Sequence, residues 1–147
     1  MDPVQELVAK DEVREAVHAL FAATDARDWP RVRACFGPMV QLDIGQGPAA
    51  RVPARDIVAA WEKELAPLEA LHHQVGNLDV KVLGPEARAT CYGIAYHYLP
   101  NKTGRNTRVF VGTYDLHLFR LQGAWRVDEF RFAMKFVDGN AELEKAG

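Results

Sequence analysis

The chain contains no serine, which excludes a serine nucleophile. It has only two cysteines, Cys35 and Cys91, and no CxxC pair. Free thiols in a reducing compartment are expected rather than a disulfide. Cys91 precedes His97 on one strand-like stretch, but that spacing at strand rise is roughly 20 Å, too far for a cysteine–histidine pair. No run of apolar residues reaches the length of about eighteen that a membrane helix needs. Neither sign of charge is in excess: 18 basic and 20 acidic residues leave a formal net charge of -2. Nothing there draws the chain to nucleic acid or to an anionic membrane. The opening residues Met1 to Glu6 carry no basic start and no apolar segment, so a cytoplasmic protein without a signal peptide is expected. HExxH and Cys/His ligand spacings are missing, and Gly45-Gln46-Gly47-Pro48 is a GxG fragment with no glycine-led helix behind it. No metal and no cofactor is expected.

What is present is an ordinary soluble composition. Of 147 residues, 48% are hydrophobic and 26% charged, which suits one domain over residues 1–147. Asp2 caps a helix that has Pro3 at its first position. Val4, Leu7, Val8, Val13, Ala16, Val17, Leu20 and Phe21 recur at mostly helical spacing, predicting a helix over Pro3–Ala26, with a break near Lys10-Asp11 left open. Asp28 caps a second helix, Trp29–Cys35. Val40–Asp43 reads as a short strand, and Gly45, Gly47 and Pro48 as a loop. Pro53–Leu65 reads as a third helix with Ile57, Val58, Trp61 and Leu65 on its apolar stripe.

The period then becomes two. Leu78, Val80 and Val82 alternate with Asp79 and Lys81. Three longer strands follow, Arg88–Leu99, Thr107–Leu121 and Trp125–Phe136, joined by turn signals at Asn101–Gly104 and Gln122-Gly123. Helices first and an antiparallel meander after them predict an α+β fold: a curved, mostly antiparallel sheet, three helices from the N-terminal half over one face, and a pocket between.

Alternation says which side chains face that hollow. Along Arg88–Leu99 one face carries Ala89, Cys91, Gly93, Ala95, His97 and Leu99, small until it reaches His97. Small residues on a covered face leave room. Phe110, Gly112, Tyr114, Leu116 and Leu118 share a face on the next strand; Phe130, Phe132, Met134 and Phe136 do on the last. The expected lining is Cys91, Gly93, Tyr114, Phe132 and Met134 from the sheet, with Trp29 and Trp61 from the helices. Glu129 and Arg131 are out of phase and expected to face solvent.

Leu71-His72-His73-Gln74 puts two histidines ahead of the first of these strands, and a pocket histidine can hold or release a proton near neutral pH. Leu78, Val80 and Val82 are in phase with His72, not His73. For His73 to point inward, a β-bulge is required between Gln74 and Asn77, and Gly76-Asn77 suits one. A metal set of His72, His73 and His97 is not expected, because adjacent strand residues point to opposite faces. His18, His72 and His117 read as surface or sheet-edge histidines.

Several stretches together resemble the SnoaL-like branch of the NTF2-like superfamily, which includes scytalone dehydratase and hexachlorocyclohexane dehydrochlorinase. They are Thr24-Asp25-Ala26-Arg27-Asp28-Trp29, His73 with Gly76-Asn77, His97 at a strand end, Gly112-Thr113-Tyr114, Gly123-Ala124-Trp125-Arg126 and Asp138-Gly139-Asn140. The resemblance implies an α+β cone, a deep pocket, an aspartate–histidine pair at Asp25 and His73, and a second histidine at His97. It also implies a homodimer or higher homo-oligomer. The chain departs from both named members. There is no tyrosine in the first helix or in Val40–Asp43, where the dehydratase has its water-holding tyrosines. Leu20 and Glu129 stand where the dehydrochlorinase has a lysine and an arginine.

The expected chemistry is proton abstraction from an apolar or cyclic small molecule. His73 would act as base, Asp25 would accept from its other ring nitrogen, and His97 or Tyr114 would oppose developing negative charge. The outcome would be a dehydratase-like elimination or an isomerisation. A different class, a non-catalytic ligand-binding or accessory dimer, would use the same hollow.

Overall fold

The computed structural model describes residues 1–145. It runs α1 (Pro3–Asp25), α2 (Trp29–Cys35), β1 (Phe36–Asp43), β2 (Ala50–Pro53), α3 (Ala54–Leu65), β3 (Ala70–Leu83), β4 (Glu86–Tyr98), β5 (Thr107–Leu121), β6 (Ala124–Gly139) and a 3-10 turn, Leu143–Lys145. The strands form one sheet in the order β2-β1-β6-β5-β4-β3. All neighbours are antiparallel except β1 and β6, which run parallel. This is the α+β architecture expected, with the helices packed against the sheet in one core.

The capping residues of α1 explain where it starts and stops. Asp2 accepts from the Gln5 amide at 2.8 Å and the Gln5 side chain accepts from the Asp2 amide at 3.0 Å, a capping box. The helix does not break at Lys10-Asp11. Its end is a Schellman turn: the Asp28 amide bonds the Ala23 carbonyl, and the Arg27 amide bonds that of Thr24. Arg27 takes the left-handed conformation there, with φ 55°. That costs a residue with a Cβ about 1–2 kcal/mol. The Arg27 guanidinium offsets the cost by donating to the carbonyls of Leu65 (3.2 Å) and Leu68 (2.6 Å), tying the α1 end to the α3 end.

Ala9, Val13, Val17, Leu20 and Phe21 of α1 are buried against the sheet. Val4, Leu7 and Val8, which the helical spacing joins to that stripe, are exposed instead. The packed stripe begins only at Ala9. The strand β2 has no alternation to betray it; it is a four-residue edge, exposed at Ala50 and Arg51, ending at Pro53, where a missing amide is tolerated.

On β4 the expected face is the buried one: Ala89, Cys91, Ala95 and His97 are all buried. The bulge in β3 is present. Gly76 pairs with Tyr92 and Asp79 with Thr90, so one extra residue is inserted. Asn77 sits there with φ 51°. Leu71, His73 and Val75 therefore share the inner face with Leu78 and Val80. On β6 a bulge changes the reading. Val111 pairs with Phe136 and Gly112 with Met134, leaving Lys135 as the extra residue. Phe136 is thereby turned away from the face of Phe130, Phe132 and Met134, and it is exposed. Among the described residues, no helix is long and apolar enough to cross a membrane.

Candidate active site

Asp25 occupies the last turn of α1, where a carboxylate faces the negative end of the helix dipole. What holds it there is β3. The His73 amide donates to Asp25 Oδ2 at 2.9 Å, and His73 Nδ1 lies 2.6 Å from Oδ1. Both side chains are largely withdrawn from solvent, 13% exposed for His73 and 22% for Asp25. An ionised carboxylate only accepts hydrogen bonds, so Nδ1 carries the proton of the neutral ring. Nε2 then presents a lone pair. The β3 bulge makes this pairing possible, because it brings residue 73 to the inner face while keeping Leu78 and Val80 there.

The His73 ring lines a cavity of about 150 Å³. Phe21 and Thr24 of α1, Trp61, Glu64 and Leu65 of α3, and Ile44 beyond β1 form one side. Tyr114, Phe130 and Phe132 form the sheet side. Thr24 spends its hydroxyl proton on the Leu20 carbonyl at 2.8 Å. Tyr114 packs on Phe21 (4.7 Å between ring centres) and Phe132 (4.8 Å). Burial, and then the neighbouring Cys91 and Asp25, push its phenol above the usual range, so it stays protonated as a donor.

Of the expected lining, Trp61, Tyr114 and Phe132 are at the cavity. Gly93 is not: a Cβ there would meet Tyr114 Cε2 at 2.1 Å, so the room left by the small face of β4 is filled by an aromatic ring. Cys91 is buried in the core, its thiol pushed up to about 11 by burial, an inert group rather than a wall of the cavity. Trp29 is half-buried against the core. Met134 is 53% exposed and lines an open groove with Phe110 and Arg131, separated from the His73 cavity by Ile44 and Phe132.

His97 lies on the same face as His73, opposite Leu71 on the neighbouring strand, but outside the cavity lining. Its Nδ1 accepts from Arg108 Nη2 at 2.8 Å, and Arg108 is clasped by both oxygens of Glu144 at 2.6 and 2.7 Å. A guanidinium cannot accept, so His97 keeps its proton on Nε2. Burial first, then the Arg108 charge, lowers its pKa to about 4. His72 is exposed on the other face, His18 is exposed, and His117 bridges Asp128 (2.5 Å) and Glu86 (3.4 Å). Among the described residues no group of three His, Cys, Asp or Glu could hold a metal ion.

The SnoaL-like domain model matches residues 5–131, most of the chain. The protein belongs to the SnoaL-like family. Its cone is the NTF2-like fold. Three solved structures show how closely this SnoaL-like protein keeps that shape. A protein of Kribbella flavida superposes with a TM-score of 0.88 at 22% identity, over 99% of this chain and 100% of that one. A candidate scytalone dehydratase of Novosphingobium aromaticivorans gives 0.82 at 13% identity, over 91% and 89%. A hexachlorocyclohexane dehydrochlorinase of type 2 gives 0.79 at 13% identity, over 94% and 93%. At such identities the likeness is one of fold. No curated protein sequence matches the chain.

Several cavity residues escape a reading of the sequence. Glu64 could have been found: it lies three residues after Trp61, hence on the same helix face. Phe21 was visible only as core. Ile44 depends on where β1 ends, and the Arg108–Glu144 clasp joins residues 36 apart in sequence.

Proposed function

We propose that this SnoaL-like protein is a cofactor-independent lyase or isomerase that uses His73 as a general base on a small, mostly apolar molecule. The observation that carries the reading is the double hold of Asp25 on His73, amide and imidazole together, with that imidazole lining an aromatic cavity. In the first step His73 Nε2 takes a proton from a carbon next to an electron-withdrawing group. Asp25 fixes the tautomer and stabilises the imidazolium that forms. An oriented base of this kind typically supplies about 10²–10⁴-fold in rate. The Tyr114 hydroxyl, held protonated and part of the cavity lining, would serve as the donor to negative charge developing on the substrate. In an elimination the electron pair expels the group on the next carbon, and the imidazolium returns its proton to that group. In an isomerisation the proton returns to a different carbon.

His97 takes a supporting place in this scheme. Held neutral by burial and Arg108, it adds no positive charge beside the imidazolium of His73. The homo-oligomer expected earlier is supported by the outer sheet face, where Tyr92, Tyr96 and Phe136 stand exposed. Light scattering on Tyr92→Glu, expected to lower the mass to that of one chain, tests it.

The enzyme reading is tested by turnover of small cyclic carbonyl compounds with His73→Ala and Asp25→Asn. Each is expected to lose at least about tenfold, the low end of base-removal effects. Unchanged turnover in either removes that residue from the mechanism.

A further inference from the structure

The cavity is small and its charge is one-sided. Its titratable lining is His73, Glu64 and Tyr114, and no Lys or Arg is among the described lining residues. Asp25 stands directly behind His73. Tyr114 stays neutral. With a neutral imidazole, two carboxylates are left facing or backing the hollow with no cation in its wall.

The cations nearby are turned elsewhere. Arg27 donates to the Leu65 and Leu68 carbonyls. Arg108 is clasped by Glu144, and Arg131 lies 3.6 Å from Asp43 beside the separate outer groove. Glu64 has no ion-pair partner among the described residues, and it is exposed. It lines both the inner cavity and the groove between α3 and the loop after β1, together with Ile44 and Trp61. Exposed and yet part of the cavity lining, Glu64 lies at the rim.

We propose that Glu64 sets ligand selectivity at the mouth of the His73 cavity, admitting neutral or cationic ring-sized molecules and rejecting carboxylates. The proposal rests on the same cavity as the base chemistry but not on turnover. A ligand anion passing Glu64 meets one carboxylate at the entrance and a second behind the imidazole, with no guanidinium or ammonium to compensate. An amine meets the reverse. The exposure of Glu64 lets water and salt screen the effect, so it is of modest size and falls as salt rises. A hollow of about 150 Å³ is of the size that takes one benzene ring. The substrate class is therefore a neutral or cationic single-ring molecule without a carboxylate.

The test is binding of three shape-matched probes, benzylamine, benzyl alcohol and benzoate, followed by NMR titration of the Trp61 indole and His73 ring signals. In the wild-type protein benzoate is expected to bind about fivefold more weakly than benzyl alcohol, and benzylamine at least as tightly as the alcohol, the size of one water-screened pair of unit charges about 4 Å apart. Glu64→Gln is expected to bring the three within about threefold of one another, as is raising salt to about 1 M in the wild type. Equal binding of benzoate and benzyl alcohol, an unaltered order in Glu64→Gln, or no binding of any probe overturns the proposal. Because the readout is affinity, a protein that proves inactive on every carbon acid can still show the order, and an active one can lack it.

Discussion

Tyr114 lies across Gly93 on the neighbouring strand, so closely that a Cβ at residue 93 would stand 2.1 Å from its ring. The glycine is the floor on which the main aromatic wall of the cavity rests. Gly93→Ala must push the ring away or bend β4. Overpacking of this kind costs about 1–3 kcal/mol. Urea unfolding of Gly93→Ala is expected to show that loss. Gly76→Ala, where nothing lies within 4 Å of the new Cβ, is expected to change stability by less than about 0.5 kcal/mol.

The β3 bulge sets a second prediction. Asn77 adopts φ 51° and is exposed, so its side chain contributes little packing. Asn77→Val places a β-branched residue in the left-handed region and is expected to cost about 1–2 kcal/mol. Asn77→Gly is expected to be neutral or slightly stabilising. Equal stability of the two variants would contradict the bulge.

A third prediction concerns acid. Burial and Arg108 hold the His97 pKa down at about 4, whereas a histidine in the unfolded chain titrates near about 6.5. Between those values the unfolded chain binds a proton that the native protein refuses. Stability therefore falls as pH drops from about 6.5 to about 4, by up to about 3 kcal/mol from this group. Glu144, its carboxyl held below the usual range by Arg108, adds a loss only at still lower pH. The measurement is the urea midpoint at several pH values in wild type and His97→Gln. The variant is expected to show a shallower decline between pH about 6.5 and 4.5, and an identical slope would contradict a suppressed His97.

The sheet was legible because burial on one face prints itself as alternation: Ala89, Cys91, Gly93, Ala95 and His97 share the inner face of β4 as their spacing says. Even the break in phase at Gly76-Asn77 could be inferred, since His73 and Leu78 cannot both face inward on a regular strand. The bulge at Lys135 left no such mark. Met134 and Phe136 are both apolar, so the pattern reads smoothly through the place where the backbone gains a residue. Phe136 was misplaced for that reason. Exposure was hardest to foresee where a helix outruns its packing, as at Val4, Leu7 and Val8. Small residues on β4 suggested a hollow, but Tyr114 of the next strand fills it, and no property of β4 alone reveals that. The mouth residues Ile44 and Glu64 come from segments that meet only in three dimensions.

The central claim is that the His73 imidazole, oriented by Asp25, removes a proton from a carbon acid bound in the aromatic cavity. Hydrogen–deuterium exchange at the α-carbon of a ring-sized ketone such as cyclohexanone, followed by proton NMR in D₂O, reads that step without requiring the complete reaction. The account predicts exchange catalysed above buffer by the wild-type protein and slowed at least about tenfold in His73→Ala and in Asp25→Asn. Exchange no faster than in buffer, or the same rate in all three proteins, would contradict it.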